Sequence, residues 1–240
     1  MSQATLEYTA DGLAMKSNLY LPAAGAGRRP GVLVFPEAFG LGEHARARAA
    51  RLAAEGYVAL ACDLHGNAHV YEKMEELMGV LLPLRADVAR VRARALGGFE
   101  ALRSRPEVDP ARIAAIGFCF GGTMSLELAR GGADIRAAVG FHSGLATAAP
   151  HDAANIRGRV LVCIGADDPA ISPDERAAFE QEMRAGGVNW QMHLYGGVVH
   201  SFTNEKADAM GRPEFARYDA GADARSWRAM RELFAEVLDR

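Results

Sequence analysis

The chain has 240 residues, 50% of them hydrophobic and 24% charged, and its 27 Lys and Arg stand against 30 Asp and Glu for a net charge of −3. That profile fits one ordinary globular domain, expected to span 1–240, and excludes disordered, collagen-like and coiled-coil chains. No basic run is dense enough for a nucleic-acid footprint, no repeat recurs, and no apolar stretch approaches the length of a membrane span.

Cys62, Cys119 and Cys163 are an odd number without a C-x-x-C pair, which fits neither a disulfide framework nor a zinc ribbon. The first residues, MSQATLEY, lack a charged start followed by an apolar run. A cytoplasmic protein is therefore expected, acting on a small molecule without nucleic acid or membrane, as a monomer or weak homo-oligomer.

In chain order, 4–9 and 13–21 alternate apolar and polar residues around Asp11-Gly12, a two-residue turn signal, and predict an antiparallel hairpin at a sheet edge. Short apolar runs follow at 31–35 (GVLVF), 58–62 (VALAC), 113–116 (IAAI), 137–141 (AAVGF), 160–164 (VLVCI) and 191–195 (QMHLY). Such runs read as buried parallel strands. Helices are expected over 44–55, about 85–103, 121–130 and 222–238, with 65–85 read as a loop. Another helix starts at Ser172-Pro173, an N-cap and a first-turn proline, and stops at Gly186-Gly187. Arg28, Arg29 and the arginines of 85–94 read as solvated surface. The alternation predicts an α/β fold, a mostly parallel twisted sheet with helices on both faces and an N-terminal antiparallel hairpin.

Gly117-Phe118-Cys119-Phe120-Gly121-Gly122 places one reactive side chain between glycines, after an apolar strand and before a helix. This is a nucleophile elbow with Cys in place of Ser. The turn strains the nucleophile's backbone, and side chains two positions away would collide with the neighbouring strand and helix. The positive end of the following helix favours a thiolate. Cys62 and Cys163, inside strands, read as small buried hydrophobes.

An elbow of this kind is followed by an acid and then a histidine, each on a loop after a later strand. Asp168, in GADDP, is preferred to Asp167 because the G-x-x-D spacing puts it at the loop apex and Pro169 stiffens it. The base candidate is His200, in GGVVHSF after the last strand run. His44 reads as a surface residue at a helix start, and His151 and His193 as structural. His65 and His69 are four apart, but Gly66 and Asn67 argue against a helix there, so no metal site is expected.

At these motifs the chain resembles the dienelactone hydrolase family of α/β hydrolases along nearly its whole length: Cys119 in GFCFGG, Asp168 in GADDP, His200 in GGVVHSF, and Glu37 in PEAFG. The resemblance implies a Cys-Asp-His triad needing no cofactor, with the Glu37 carboxylate meeting the resting thiol. The oxyanion hole would be the backbone N–H groups of Ala38 and Phe120. Family members that act on dienelactone carry an arginine four residues after the histidine, where this chain has Asn204. An uncharged ester or lactone, hydrolysed through a thioester, is therefore expected. Its pocket would be lined by Phe39, Leu41, His65, His69, Tyr71, Met74, His142, Phe202 and Asn204. Two alternatives stand beside that reading: phosphotriesterase-like attack on neutral organophosphates at the same site, and a non-catalytic small-molecule-binding descendant.

Overall fold

The computed structural model describes residues 2–23 and 27–239. Eight strands form one sheet: β1 (Ser2–Ala10), β2 (Leu13–Leu21), β3 (Arg29–Phe35), β4 (Val58–Ala61), β5 (Val108–Phe118), β6 (Ala137–Phe141), β7 (Arg159–Gly165) and β8 (Trp190–Tyr195), in the spatial order 1-2-4-3-5-6-7-8. β1 and β2 are antiparallel and β2 runs against β4, whereas β4, β3, β5, β6, β7 and β8 are mutually parallel. Asp11 (φ 50°) and Gly12 (φ 71°) close the hairpin in the left-handed region, as a two-residue primed turn demands.

The α-helices among the described residues are α1 (Glu43–Ala54), α2 (Met74–Ala86), α3 (Val88–Arg103), α4 (Phe120–Arg130), α5 (Pro173–Ala185) and α6 (Ala220–Val237). Alternate residues of β3 serve opposite faces. Leu33 and Phe35 join the layer beneath α2 to α5, with Leu81, Phe99, Met124 and Phe179. Val32 and Val34 join the layer beneath α1 and α6, with Leu52, Trp227, Met230 and Phe234. Both faces are apolar, which is why the strand runs show no alternation.

The chain leaves β3 for β4 on one side and returns to β5 on the other, so the direction of winding reverses between β3 and β5. Ligands of open α/β sheets bind beyond the strand ends at such a switch point. Glu37 follows β3 and Cys119 follows β5, one on each side of it.

Three expectations are corrected. Residues 65–85 are not a continuous loop, because α2 occupies 74–86 and buries Leu77, Leu81 and Leu84 at helical spacing. Gly79 and Pro83 hide it from a propensity reading, although Pro83 tolerably forfeits one hydrogen bond to the carbonyl four residues back. The long helix begins at Val88, where the Asp87 side chain accepts the Arg90 N–H. The arginines of 85–94 are not all solvated: Arg90 and Arg94 both grip Asp11 of the hairpin turn, the latter also donating to the Leu64 carbonyl, and Arg92 bridges Glu127 and Asp152. No helix among the described residues is long and apolar enough to cross a membrane.

Candidate active site

Cys119 sits between β5 and α4 with φ 54° and ψ −122°. That left-handed conformation is costly for a residue with a Cβ and persists only where the surroundings enforce it. Here three glycines do so. A Cβ on Gly117 would lie 1.9 Å from the Gly121 carbonyl oxygen, one on Gly121 2.3 Å from that of Phe35, and one on Gly122 2.3 Å from the Ser143 Cβ. The Cys119 N–H donates to the Phe141 carbonyl at 3.0 Å and to His142 Nδ1 at 3.2 Å, and the side chain stays half-exposed at the head of the helix.

The loop after β7 buries Asp168 and exposes Asp167. One Asp168 oxygen accepts the Ala170 N–H at 2.8 Å and the other accepts His200 Nδ1–H at 2.7 Å. Asp168, not Asp167, is thus the residue that meets His200. His200 is buried, its backbone clamped by Phe215 and Arg217 at 3.0 and 3.1 Å, and its ring packs against His142 and Phe215. With Nδ1 committed to Asp168, the other ring nitrogen is free to meet Cys119. Burial pulls the His200 pKa down, but the charge on Cys119 and the hydrogen bonds to Asp168 and Cys119 outweigh it and push the value up to about 10.

Glu37 lies in a turn after β3 that Gly40 closes by donating its N–H to the Glu37 carbonyl at 3.0 Å. Gly40 has φ 113°, and a Cβ there would stand 2.4 Å from the His69 carbonyl oxygen. The Glu37 carboxylate accepts from Asn204 Nδ2 at 2.7 Å and from Ser201 Oγ at 3.3 Å, with His44 Nδ1 at 3.8 Å. Burial raises its pKa against the opposing pull of His200 and those two hydrogen bonds. Its hydrogen bonds therefore run to the loop after His200 rather than to the Cys119 thiol.

Between these groups lie the two main-chain donors. Ala38 is buried, and its N–H has no acceptor among the described residues. Phe120 is the first residue of α4, so its N–H belongs to the helix's unpaired first turn. His65 Nε2 meets the Ala38 carbonyl at 2.8 Å and pins that turn.

The predicted lining divides. Phe39, His65, Tyr71 and Asn204 are half-buried, and His69 and Met74 are exposed, with both imidazoles edge-on to Tyr71. Leu41, His142 and Phe202 are completely buried and pack behind the site, where they can touch no ligand. A cleft of about 190 Å³, lined by Phe120, Thr123, Gly144 and Arg85, borders the head of α4. The expected surface residue His44 is instead largely buried, edge-on to Phe118, and burial together with Arg48 lowers its pKa to about 3. Ser201, Thr203 and Arg48 are further polar groups of this region that sequence reading missed. Only the four-residue spacing of His44 and Arg48 on α1 hinted at them.

A family model described as the dienelactone hydrolase family matches residues 15–238. A dienelactone hydrolase-like promiscuous phosphotriesterase from metagenomic libraries is 44% identical in sequence, covers 98% of each chain and superposes with a TM-score of 0.93. A candidate carboxymethylenebutenolidase of Synechocystis sp. is 28% identical over 225 residues, 88% of each protein. Protein usf of Aquifex pyrophilus is 27% identical over 97% of this chain and 98% of its own length.

Proposed function

The chain is a member of the dienelactone hydrolase family and an ester-bond hydrolase, and from that premise we propose that it cleaves small uncharged carboxylic esters or lactones with Cys119 as nucleophile. The observation that carries this reading is the buried His200 ring, held by Asp168 at 2.7 Å through Nδ1, with the Cys119 charge near enough to raise its pKa. His200 takes the thiol proton, and the sulfur attacks the carbonyl carbon. The carbonyl electron pair moves onto oxygen, where the N–H groups of Ala38 and Phe120 receive the charge. Collapse of that adduct expels the alkoxide, which takes the proton from His200, and leaves a thioester. Water then gives its proton to His200 and attacks the thioester, releasing the acid and restoring the thiol.

Glu37 is assigned the role of a carboxylate beside the thiol that exchanges partners when substrate arrives. Its carboxylate bonds Ser201 and Asn204, so the proposed contact with the thiol requires it to leave those partners. The neutral Asn204 at the rim supports an uncharged substrate.

The test is turnover of an aryl acetate beside Cys119→Ala, with mass spectrometry of the quenched wild-type enzyme. Loss of turnover in the variant and an acyl mass on the Cys119 peptide are expected, and substantial activity without that thiol overturns the assignment. A second reading, attack on neutral phosphotriesters, is favoured by the 44% identical neighbour's described promiscuity. A diethyl aryl phosphate assayed with the same preparation ranks the two substrate classes.

A further inference from the structure

Three non-glycine residues with positive φ meet around the triad: Cys119 (54°) after β5, His142 (40°) after β6 and Ser201 (55°) next to His200. His142 is the piece that joins them. Its N–H donates to the Cys163 carbonyl at 2.8 Å and its side chain is completely buried. Nδ1 lies 3.2 Å from the Cys119 backbone nitrogen, which can only donate. The ring proton therefore sits on Nε2, which donates to Thr203 Oγ1 at 2.8 Å. The ring stands edge-on to His200 and to Phe202, both at 5.2 Å between centroids. Thr203 is anchored in turn, because its carbonyl accepts from Arg48 on α1, whose guanidinium also pairs with Asp223 on α6 at 2.9 Å.

A buried imidazole is tolerated when both nitrogens are satisfied, and here one bonds the nucleophile's own peptide and the other the loop that carries the base. We propose that His142 is a positioning residue for the hydrolytic reaction, tying the Cys119 turn to the 200–203 loop so that sulfur and imidazole keep their register through acylation and deacylation. Burial, with His200, His44 and Arg48 nearby, holds its pKa well below the usual imidazole value, so the acceptor at Nδ1 persists across the working range. The role is distinct from substrate contact, since no atom of the ring reaches the surface.

The proposal rests on the cysteine-hydrolase reading, and the experiment keeps the two apart. Steady-state kinetics on one aryl acetate are measured for wild type, Cys119→Ala, His142→Phe, His142→Asn and Thr203→Val, with rates normalised to alkylatable Cys119 in the proteins that keep it and to total protein in Cys119→Ala, and folding checked by circular dichroism. His142→Phe keeps an aromatic ring and removes both hydrogen bonds. Its kcat should fall by about 10- to 100-fold with KM within about threefold. Asn tolerates the left-handed backbone and returns an acceptor toward the Cys119 N–H, so His142→Asn should recover part of that loss. Thr203→Val, nearly identical in shape, should lose about tenfold in kcat and decides the matter if His142→Phe does not fold. A per-site kcat within about twofold of wild type in folded His142→Phe or in Thr203→Val, or a loss confined to KM, overturns the positioning role. An active Cys119→Ala overturns the hydrolase reading instead, whatever the His142 variants do.

Discussion

In the proposed reaction His200 is asked to hold a proton when Cys119 is charged and to be a base when it is not. The physical basis is visible in what raises its pKa: the Cys119 charge is the strongest of the raising influences, ahead of the Asp168 hydrogen bond. Once sulfur is acylated that charge is gone, and the ring falls back toward neutrality in time to activate water. Cys119→Ala should accordingly lower the His200 pKa from about 10, read by imidazole NMR, and an unchanged value would assign the whole effect to Asp168. The folded-state value lies above the ordinary 6.5, so the protonated ring contributes stability that is complete below pH 6.5 and disappears as pH rises through about 10. Denaturation midpoints should decline across that window in wild type and decline less in Cys119→Ala. At the acid position, Asp168→Asn should reduce kcat by about 10²- to 10⁴-fold, because the His200 tautomer and the imidazolium both lose their partner. Asp167→Asn, exposed and adjacent, should do little; the reverse result would shift the acid by one residue. The Asp168 register was legible because a loop apex has a spacing signature. The partners of Glu37 and His142 were not, since Ser201, Asn204 and Thr203 reach them only after strands distant in the chain have been laid side by side.

α4 has Cys119 as its N-cap at one end and a buried ion-pair network at the other. Arg130, in its last turn, is completely buried and donates to Glu127, to both oxygens of Glu182 and to the Leu145 carbonyl. Glu127 also binds Arg92, which reaches Asp152. The network joins α3, α4 and α5 and fixes the axis of the helix that Cys119 caps. Arg130→Ala would strand the buried Glu182 carboxylate and strip Glu127 of one of its two arginines, and should cost about 3–5 kcal/mol in urea unfolding, whereas loss of an exposed pair such as Lys73 with Glu76 should cost less than about 1 kcal/mol. Equal losses would show that the buried pairs are hydrated in solution. Elements with local punctuation were readable: Ser172 accepts the Glu175 N–H and Pro173 opens α5, as those two residues foretold. α2 was unreadable because its buried Leu77, Leu81 and Leu84 are interleaved with exposed Val80, Leu82 and Met74, which blurs the period that marks a helix. β5 begins at Val108 rather than at the apolar run because the pairing with β3 slips between Pro30 and Gly31 and accommodates Pro110.

Across the whole molecule, one continuous sheet separates two apolar layers, and β3, β5, β6 and β7 supply side chains to both. Neither layer can lose its partner without exposing the other through the shared strands. Calorimetric unfolding should therefore show a single transition with matching calorimetric and van't Hoff enthalpies. Two resolved transitions would mean that the α1 and α6 layer melts on its own. The sheet order could be anticipated in kind, a parallel core with an antiparallel flap, because the strands' uniform apolarity demands cover on both faces. The layer each helix joins could not, since that depends on which way each crossover winds.

The clamp on His200 has a further consequence, for biosynthesis. Its carbonyl accepts from Arg217 and its N–H donates to Phe215, while the Thr203 carbonyl relies on Arg48, whose carboxylate partner Asp223 lies in the final helix. A nascent chain emerging from the ribosome presents the thiol of Cys119 before Phe215, Arg217 and Asp223 have been added. If Cys119 and His200 act as proposed, translation order works as a safety catch: an ester met during synthesis finds a cysteine without its base, and the pair is completed only when the last stretch of polypeptide has docked.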